Sequence, residues 1–287
     1  MKKLIFILII STLFFTCQRN ATKSSKHIQE EFCGVDLAQN YGSYLEKIIE
    51  LQAKYPVKSK KVLVFPVKFH YVSDDGNMVL SEVEIEASLA NLNESFKSCN
   101  IQFKREGLVK NIYGSSKVDD LYNNKDFENN FVAPYSEPQH INLFVFSTYD
   151  QVVGFTHYPN INNNLIFIAQ EKMLDPSLTH EFGHFFGLLH TFETSMSAAE
   201  IVGDNFCKNH GDKICDTPAD PLGASFLEDE CSLFGEYKDQ KGNTFKPDLT
   251  NFMSYYGKCR SRFTIEQRDR MYFIAAKIKW KQMREGV

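Results

Sequence analysis

The chain has 287 residues and a formal charge of −4, with 43% hydrophobic and 14% aromatic residues. That is enough apolar matter for a sizeable core, and it excludes disordered, collagen-like and coiled-coil chains. A slightly acidic balance exerts no long-range pull on nucleic acid or anionic lipid, so no nucleic-acid partner is expected.

The first segment reads as a targeting sequence. Lys2 and Lys3 precede an apolar run from Leu4 to Phe15, with Cys17 just beyond. That is a basic start followed by a hydrophobic stretch too short to span a bilayer comfortably. Residues 1–17 are therefore expected to be a signal peptide. Cys17 stands where a bacterial lipoprotein signal places its lipidated cysteine, with ordinary cleavage nearby as the alternative. The expected location is outside the cytoplasm of a bacterium, secreted or on the outer membrane, and membrane contact is expected only through this signal or its lipid. Residues 18–60 are expected to hold a polar tether and a short pro-segment. Within them, the apolar residues of Asp36 to Ala53 recur at helical spacing. Tyr55-Pro56 and the lysine-rich stretch over 58–61 then read as a linker.

A new unit opens at residue 61 and runs to 287. Val62 to Val72 is apolar on nearly both faces at first, which predicts a central strand. Ser81 with Glu84 three residues on forms a capping box, and Val83, Ile85, Leu89, Leu92 and Phe96 continue at helical spacing. Ile101 to Phe103, Ile141 to Phe146 and Leu165 to Ala169 are further strands. Asp175-Pro176 opens a helix, with an N-cap acceptor followed by proline at the first helical position. From Gly187 to about Arg262 regularity disappears, a span that needs metal or cross-links to hold it. Thr264 with Gln267 caps a last helix. The fold class is α/β.

The chemistry concentrates in His180-Glu181-Phe182-Gly183-His184-Phe185-Phe186-Gly187-Leu188-Leu189-His190. His180 and His184 are one helical turn apart, so both imidazoles leave the same face, with Glu181 beside them. Gly187 permits a backbone conformation closed to other residues, which lets His190 return as a third ligand. Three neutral nitrogens and one open position describe one catalytic zinc. Zinc acidifies a bound water and polarises a carbonyl, while Glu181 takes the proton and delivers it to the departing amine. The remaining cysteines are Cys33, Cys99, Cys207, Cys215, Cys231 and Cys259, an even set suited to an oxidising compartment. A structural zinc held by the last four is disfavoured because no CxxC pair occurs. Asp212, Asp216 and Thr217 crowd oxygen ligands into one loop, which suits a structural calcium; an Asx turn closed by Pro218 is the alternative.

The eleven-residue run resembles the long zinc motif of the metzincin metalloproteases. Asn251-Phe252-Met253-Ser254-Tyr255 resembles their Met-turn, in which the methionine underlies the metal without ligating it. Leu188-Leu189-His190-Thr191-Phe192, Gly211-Asp212-Lys213-Ile214-Cys215-Asp216-Thr217-Pro218 and Cys259 with Phe263-Thr264 are similar to the pappalysin family of that group. The resemblance implies a metzincin-like domain with an upper part over 61–190 and a lower, disulfide-pinned part over 191–287, acting on protein or peptide substrates as a monomeric endopeptidase. It implies that Tyr255 supports the oxyanion and that calcium binds after the zinc motif. It also implies a Cys231–Cys259 bridge, beside which Cys207–Cys215 would close a local loop; Cys207–Cys231 with Cys215–Cys259 is the other pairing. Cys33-Gly34 looks like the family's pro-segment cysteine, which blocks the zinc until it is removed and makes the precursor a zymogen; a bridge to Cys99 is the alternative. Some pappalysins carry an acidic residue after the Met-turn cysteine, where it favours basic substrates. Arg260 here offers the opposite charge, or else points to solvent and leaves the pocket to Tyr256 and Phe263. An inert zinc-containing binding protein and a hydrolase of non-peptide amides are the rival functions.

Overall fold

A computed structural model describes residues 32–36, 41–57, 61–77, 80–124, 131–157, 164–195, 198–221, 227–229, 232–233, 235–279 and 283. The segments expected to be a signal peptide with Cys17 and a tether lie outside them, up to residue 31, as does Cys231. Seven strands make one mixed sheet: β1 (Phe32–Asp36), β2 (Leu63–Ser73), β3 (Ile101–Arg105), β4 (Lys110–Tyr113), β5 (Ile141–Phe146), β6 (Val152–His157) and β7 (Leu165–Ala169). Their order is β1-β6-β7-β5-β2-β3, with β4 following β3 along the same edge of β2. Every pairing is parallel except that of β6 with β7.

The central place of β2 follows from its composition, since Phe65, Val67 and Phe69 face one core while His70 and Val72 are buried on the other side. Helix α1 (Tyr41–Lys54) precedes it, and α2 (Glu82–Phe96) follows with its Ser81–Glu84 capping box formed. Ile85, Leu89, Leu92 and Phe96 carry α2 onto the core that also takes in α4 (Pro176–Phe185) and α5 (Ile265–Ile274). The opposite face of the sheet is closed by α3 (Val118–Tyr122), whose Val118 and Leu121 pack with Phe144, Phe155 and Phe167. The long irregular stretch after Gly187 is present, interrupted among the described residues by β8 (Leu227–Asp229), β9 (Ser232–Leu233) and a 3-10 turn at Gly257–Cys259. The arrangement is the one expected: a mixed sheet, a helix carrying His180 and His184, and an irregular lower part.

Six of these strands and helices are not expected from the sequence: β1, β4, α3, β6, β8 and β9. The signal for β6 is present in Val152, Val153, Phe155 and Thr156, but Gly154 interrupts it. The helix expected from Asp36 begins at Tyr41, because Asp36 ends β1.

Asp119 on α3 fixes where β6 starts. Its carboxylate accepts from the backbone N–H groups of Asp150, Gln151 and Val152 at 2.7, 2.9 and 3.0 Å. Burial opposes its ionisation, but these three donors outweigh burial and hold its pKa below the usual range. The folded carboxyl is thus more acidic than the unfolded one, so its stabilisation is complete above the unfolded pKa and is lost as pH falls through the folded value. Asp119→Ala is expected to cost about 2–4 kcal/mol near neutral pH, since three charge-assisted bonds are lost together. The deficit relative to wild type should shrink as the pH of a urea titration is lowered toward 2. A pH-independent deficit would contradict this account.

Candidate active site

The helix that carries His180 and His184 is set by its ends. Asp175 accepts from Ser177 N at 2.7 Å as N-cap, Pro176 occupies the first turn, and the helix closes at Phe185. Gly187 then takes φ +84°, a left-handed conformation that turns the chain out of the helix. The turn is fixed by Leu188 N donating to Gly183 O at 3.0 Å, and it brings His190 back over the helix.

His180, His184 and His190 are buried, and one ring nitrogen from each lies within 4.8 Å of the others. Among the described residues, this is the only set of three or more His, Cys, Asp or Glu ligand atoms so grouped. His180 Nδ1 donates to Phe252 O at 2.7 Å and His184 Nδ1 donates to Leu188 O at 2.8 Å. Carbonyls only accept, so both rings carry their proton on Nδ1 and present a bare Nε2 lone pair inward. The Nε2 atom of His184 lies 3.0 Å from that of His180 and 3.1 Å from that of His190. Lone pairs repel at that distance unless a cation sits among them. Zinc–nitrogen bonds of about 2.0–2.1 Å at tetrahedral angles separate ligand nitrogens by about 3.3 Å, so the three histidines fit the ion closely. Burial also favours the neutral form that ligates, taking the pKa of His184 down to about 4 and those of His180 and His190 well below normal.

Two glycines let neighbours approach. A Cβ on Gly183 would fall on the Sδ of Met253, so the buried Met253 packs directly beneath the helix that carries the histidines. A Cβ on Gly154 would lie 2.8 Å from Phe167 O and 3.3 Å from the Cγ of Glu181. Strand β6 therefore runs against the wholly buried Glu181. Gly154 was missed by sequence reasoning; its signal was a glycine inside a β-branched run. Tyr255 is half-buried, with its ring 4.9 Å from His190 and 5.7 Å from His180. Phe192 stacks on His190 at 4.8 Å and 6°.

Arg260 is half-buried and does not reach freely into solvent. It donates to Gly257 O at 2.8 Å, to Ser254 O at 3.4 Å and to Ser177 Oγ at 3.1 Å, tying the Met-turn to the start of α4. Tyr256 and Phe263, the alternative pocket walls, are both in the interior. The Tyr256 hydroxyl donates to Asp220 at 2.6 Å, and Phe263 packs 5.2 Å from Phe96.

The lower part bears on the expected loop ligands, and the sheet order corrects one expectation. Asp212 Oδ1 accepts from Ile214 N at 2.9 Å and from Thr217 Oγ1 at 3.0 Å, while Asp216 accepts from Glu266 N at 2.9 Å to cap α5. These hydrogen bonds are those of the Asx turn and of a helix cap, while Asp212 Oδ2 is buried without a hydrogen-bond partner among the described residues. The bridge from Cys33 to Cys99 is overturned. Cys33 lies in β1 and Cys99 immediately precedes β3, at opposite edges of the sheet. Five strand spacings of about 4.8 Å separate those edges, against the roughly 7 Å that a disulfide allows between Cα atoms. Cys99 is instead buried in the main core. The Cys207–Cys215 bridge is present, which excludes the other pairing, and Cys259 is disulfide-bonded to a partner outside the described residues.

Comparison with known proteins agrees with this geometry. Residues 115–276 match a peptidase family model described as pregnancy-associated plasma protein-A. An extracellular metalloprotease of Neurospora crassa is 26% identical over 254 residues, covering 79% of each chain. One from Arthroderma benhamiae is 24% identical over 239 residues, 76% of this chain and 72% of that protein. Among solved structures, a variant of Tannerella forsythia promirolysin superposes with a TM-score of 0.59 at 17% identity, covering 86% of this chain and 91% of that one. Mirolysin gives 0.55 at 20%, covering 78% and 96%.

Proposed function

The chain belongs to the pappalysin family of metallopeptidases, and we propose that it cuts extracytoplasmic polypeptides with Glu181 as general base and Tyr255 as oxyanion donor. That it is a zinc metalloendopeptidase rests on the family match and its metalloprotease relatives. The observation that carries the finer reading is the convergence of three buried imidazole nitrogens, with the buried Glu181 next in sequence to the first of those histidines.

His180, His184 and His190 would hold the zinc, which when bound would supply Lewis acidity to a water and to the scissile carbonyl. Glu181, one residue from the first ligand, accepts the proton of the attacking water and returns it to the leaving nitrogen. The Tyr255 phenol donates to the oxyanion that develops on the carbonyl. Burial of the histidines keeps bulk water from competing for these charges. Metal analysis of the purified protein should give one zinc per chain, and a chelator should abolish hydrolysis of unstructured peptides. Parallel assay on acylated and amidated small molecules separates this reading from a non-peptide amidohydrolase. Activity confined to those molecules would remove the peptidase assignment.

Export is proposed from Lys2, Lys3 and the Leu4–Phe15 run, together with relatives named as extracellular. None of the described helices is long and apolar enough to cross a membrane. The mature chain should begin near residue 17, and acyl mass on Cys17 would mark the lipoprotein form.

Specificity is proposed to turn on Arg260. Its guanidinium charge lies close enough to His180 and His190 to help lower their pKa values, so a basic substrate side chain on the first primed position meets like charge near the metal. Poor cleavage before Arg and Lys is expected in a peptide library. Arg260→Asp should shift preference toward basic residues by roughly tenfold, about what one charge-assisted hydrogen bond supplies. A wild-type preference for Arg or Lys at that position would overturn the proposal.

A further inference from the structure

The third zinc ligand is the one not carried by a helix. His190 follows an irregular turn in which Leu188 and Leu189 are both buried, but in different places. Leu188 joins the main core, whereas Leu189 packs in a separate cluster with Leu45 of α1, flanked by Tyr44 and Ile49. Leu45 and Leu189 are 0% and 1% exposed, so each closes the other off from water. The next turn of α1 is anchored independently. Ile48 packs with Phe273 and Ile274 of α5. Glu46 pairs with Lys213 at 3.3 Å, and Lys213 sits in the cross-linked loop with φ +58° and its carbonyl held by Arg270. From Glu31 onward the chain is one compact unit.

We propose that α1 is a permanent part of the catalytic unit, and that Leu45 is a positioning residue for His190. This rests on the zinc-peptidase reading and revises the expected boundary of the pro-segment, which placed residues up to 60 outside the working enzyme. The reason is mechanical. Gly187 frees the backbone to turn, so the direction of the following three residues is set by where their side chains find cover. Leu188 pins one side of the turn and Leu189 the other. Without Leu45 the second pin has no socket, and the His190 ring can leave the place where its nitrogen meets those of His180 and His184.

Zinc affinity, measured by competition with a chromogenic chelator, separates positioning from general stability. Leu45→Ala in the full chain is expected to weaken zinc binding by about 10–100-fold, the range for residues that orient a metal ligand. Leu45→Met, which keeps the volume, should retain wild-type affinity. Ile48→Ala, on the same helix but facing α5, should lower the melting temperature and leave zinc affinity unchanged. Mass measurement of active, processed enzyme should find its N-terminus ahead of Tyr41. Equal zinc affinity in Leu45→Ala and wild type, or active enzyme beginning after Lys54, would overturn the inference; if Leu45→Ala does not fold, the N-terminal mass decides. A wild-type protein that binds no zinc overturns the reading of the site itself, and this inference with it.

Discussion

Replacing Glu181 by alanine is expected to lower peptide turnover by at least ~10³-fold while zinc stays bound. The size follows from asking one carboxylate to do two jobs, taking a proton from water and giving it to an amine that cannot leave as an anion. The retained metal follows from geometry. The ligand nitrogens come from His180, His184 and His190, and two of them are oriented by carbonyls of Phe252 and Leu188, none of which involves Glu181. Glu181→Gln should lose nearly as much, because the amide keeps the shape and loses the base. Glu181→Asp shortens the reach from a helix pinned by Met253 below and β6 alongside, so it should recover only part of the rate. The measurement is zinc content beside single-turnover hydrolysis for the three variants. Near-normal turnover in Glu181→Ala with metal verified would falsify the role.

The parts of this site that were legible beforehand are those that local chemistry dictates. Histidines four apart on a helix must share a face, and a glycine three residues later licenses the turn to His190, so the metal set could be read from one run of residues. The capping boxes at Ser81 and Thr264 and the Asp175-Pro176 start were readable for the same reason, and all three are formed. What escaped was decided by pairing across the chain. Strand β6 has β-forming residues, but its place against Glu181 depends on Gly154 meeting Phe167, which lies on a neighbouring strand. The backbone and hydroxyl donors that Asp212 and Asp216 meet come from across the loop and from the last helix, which spacing does not reveal. The Cys33–Cys99 alternative failed because sheet order, unlike cysteine parity, is a global property. Helix α1 has clear periodicity, yet only its contact with Leu189 says that it belongs with the metal site.

Freeing the edge of β6 is the change expected to raise activity most. β1 pairs in parallel along that edge, and the register sets the backbone of Cys33 opposite Gly154, the residue whose missing side chain makes room for Glu181. A peptide that reaches the metal along β6 must therefore displace β1 first. We propose that β1 is the inhibitory strand of a zymogen, and that Cys33, which resembles the family's pro-segment cysteine, contributes to its latency. The strand is tethered to the domain it covers, so its effective concentration is in the mM range; if its own affinity is about μM, the covered form prevails by ~10³ to one. Proteolytic removal of residues up to Asp36 is accordingly expected to raise turnover by about 10²–10³-fold, with α1 retained. Cys33→Ala in the uncut precursor should give part of that increase, since the thiolate is lost while the strand pairing remains. The two contributions can be separated by comparing uncut wild type, uncut Cys33→Ala and the trimmed chain on one substrate, with zinc content checked in each. If the uncut wild type is already as active as the trimmed chain, β1 is a structural edge strand and no more. If trimming activates but Cys33→Ala does nothing, latency resides in the covered edge alone and the cysteine has no part in it.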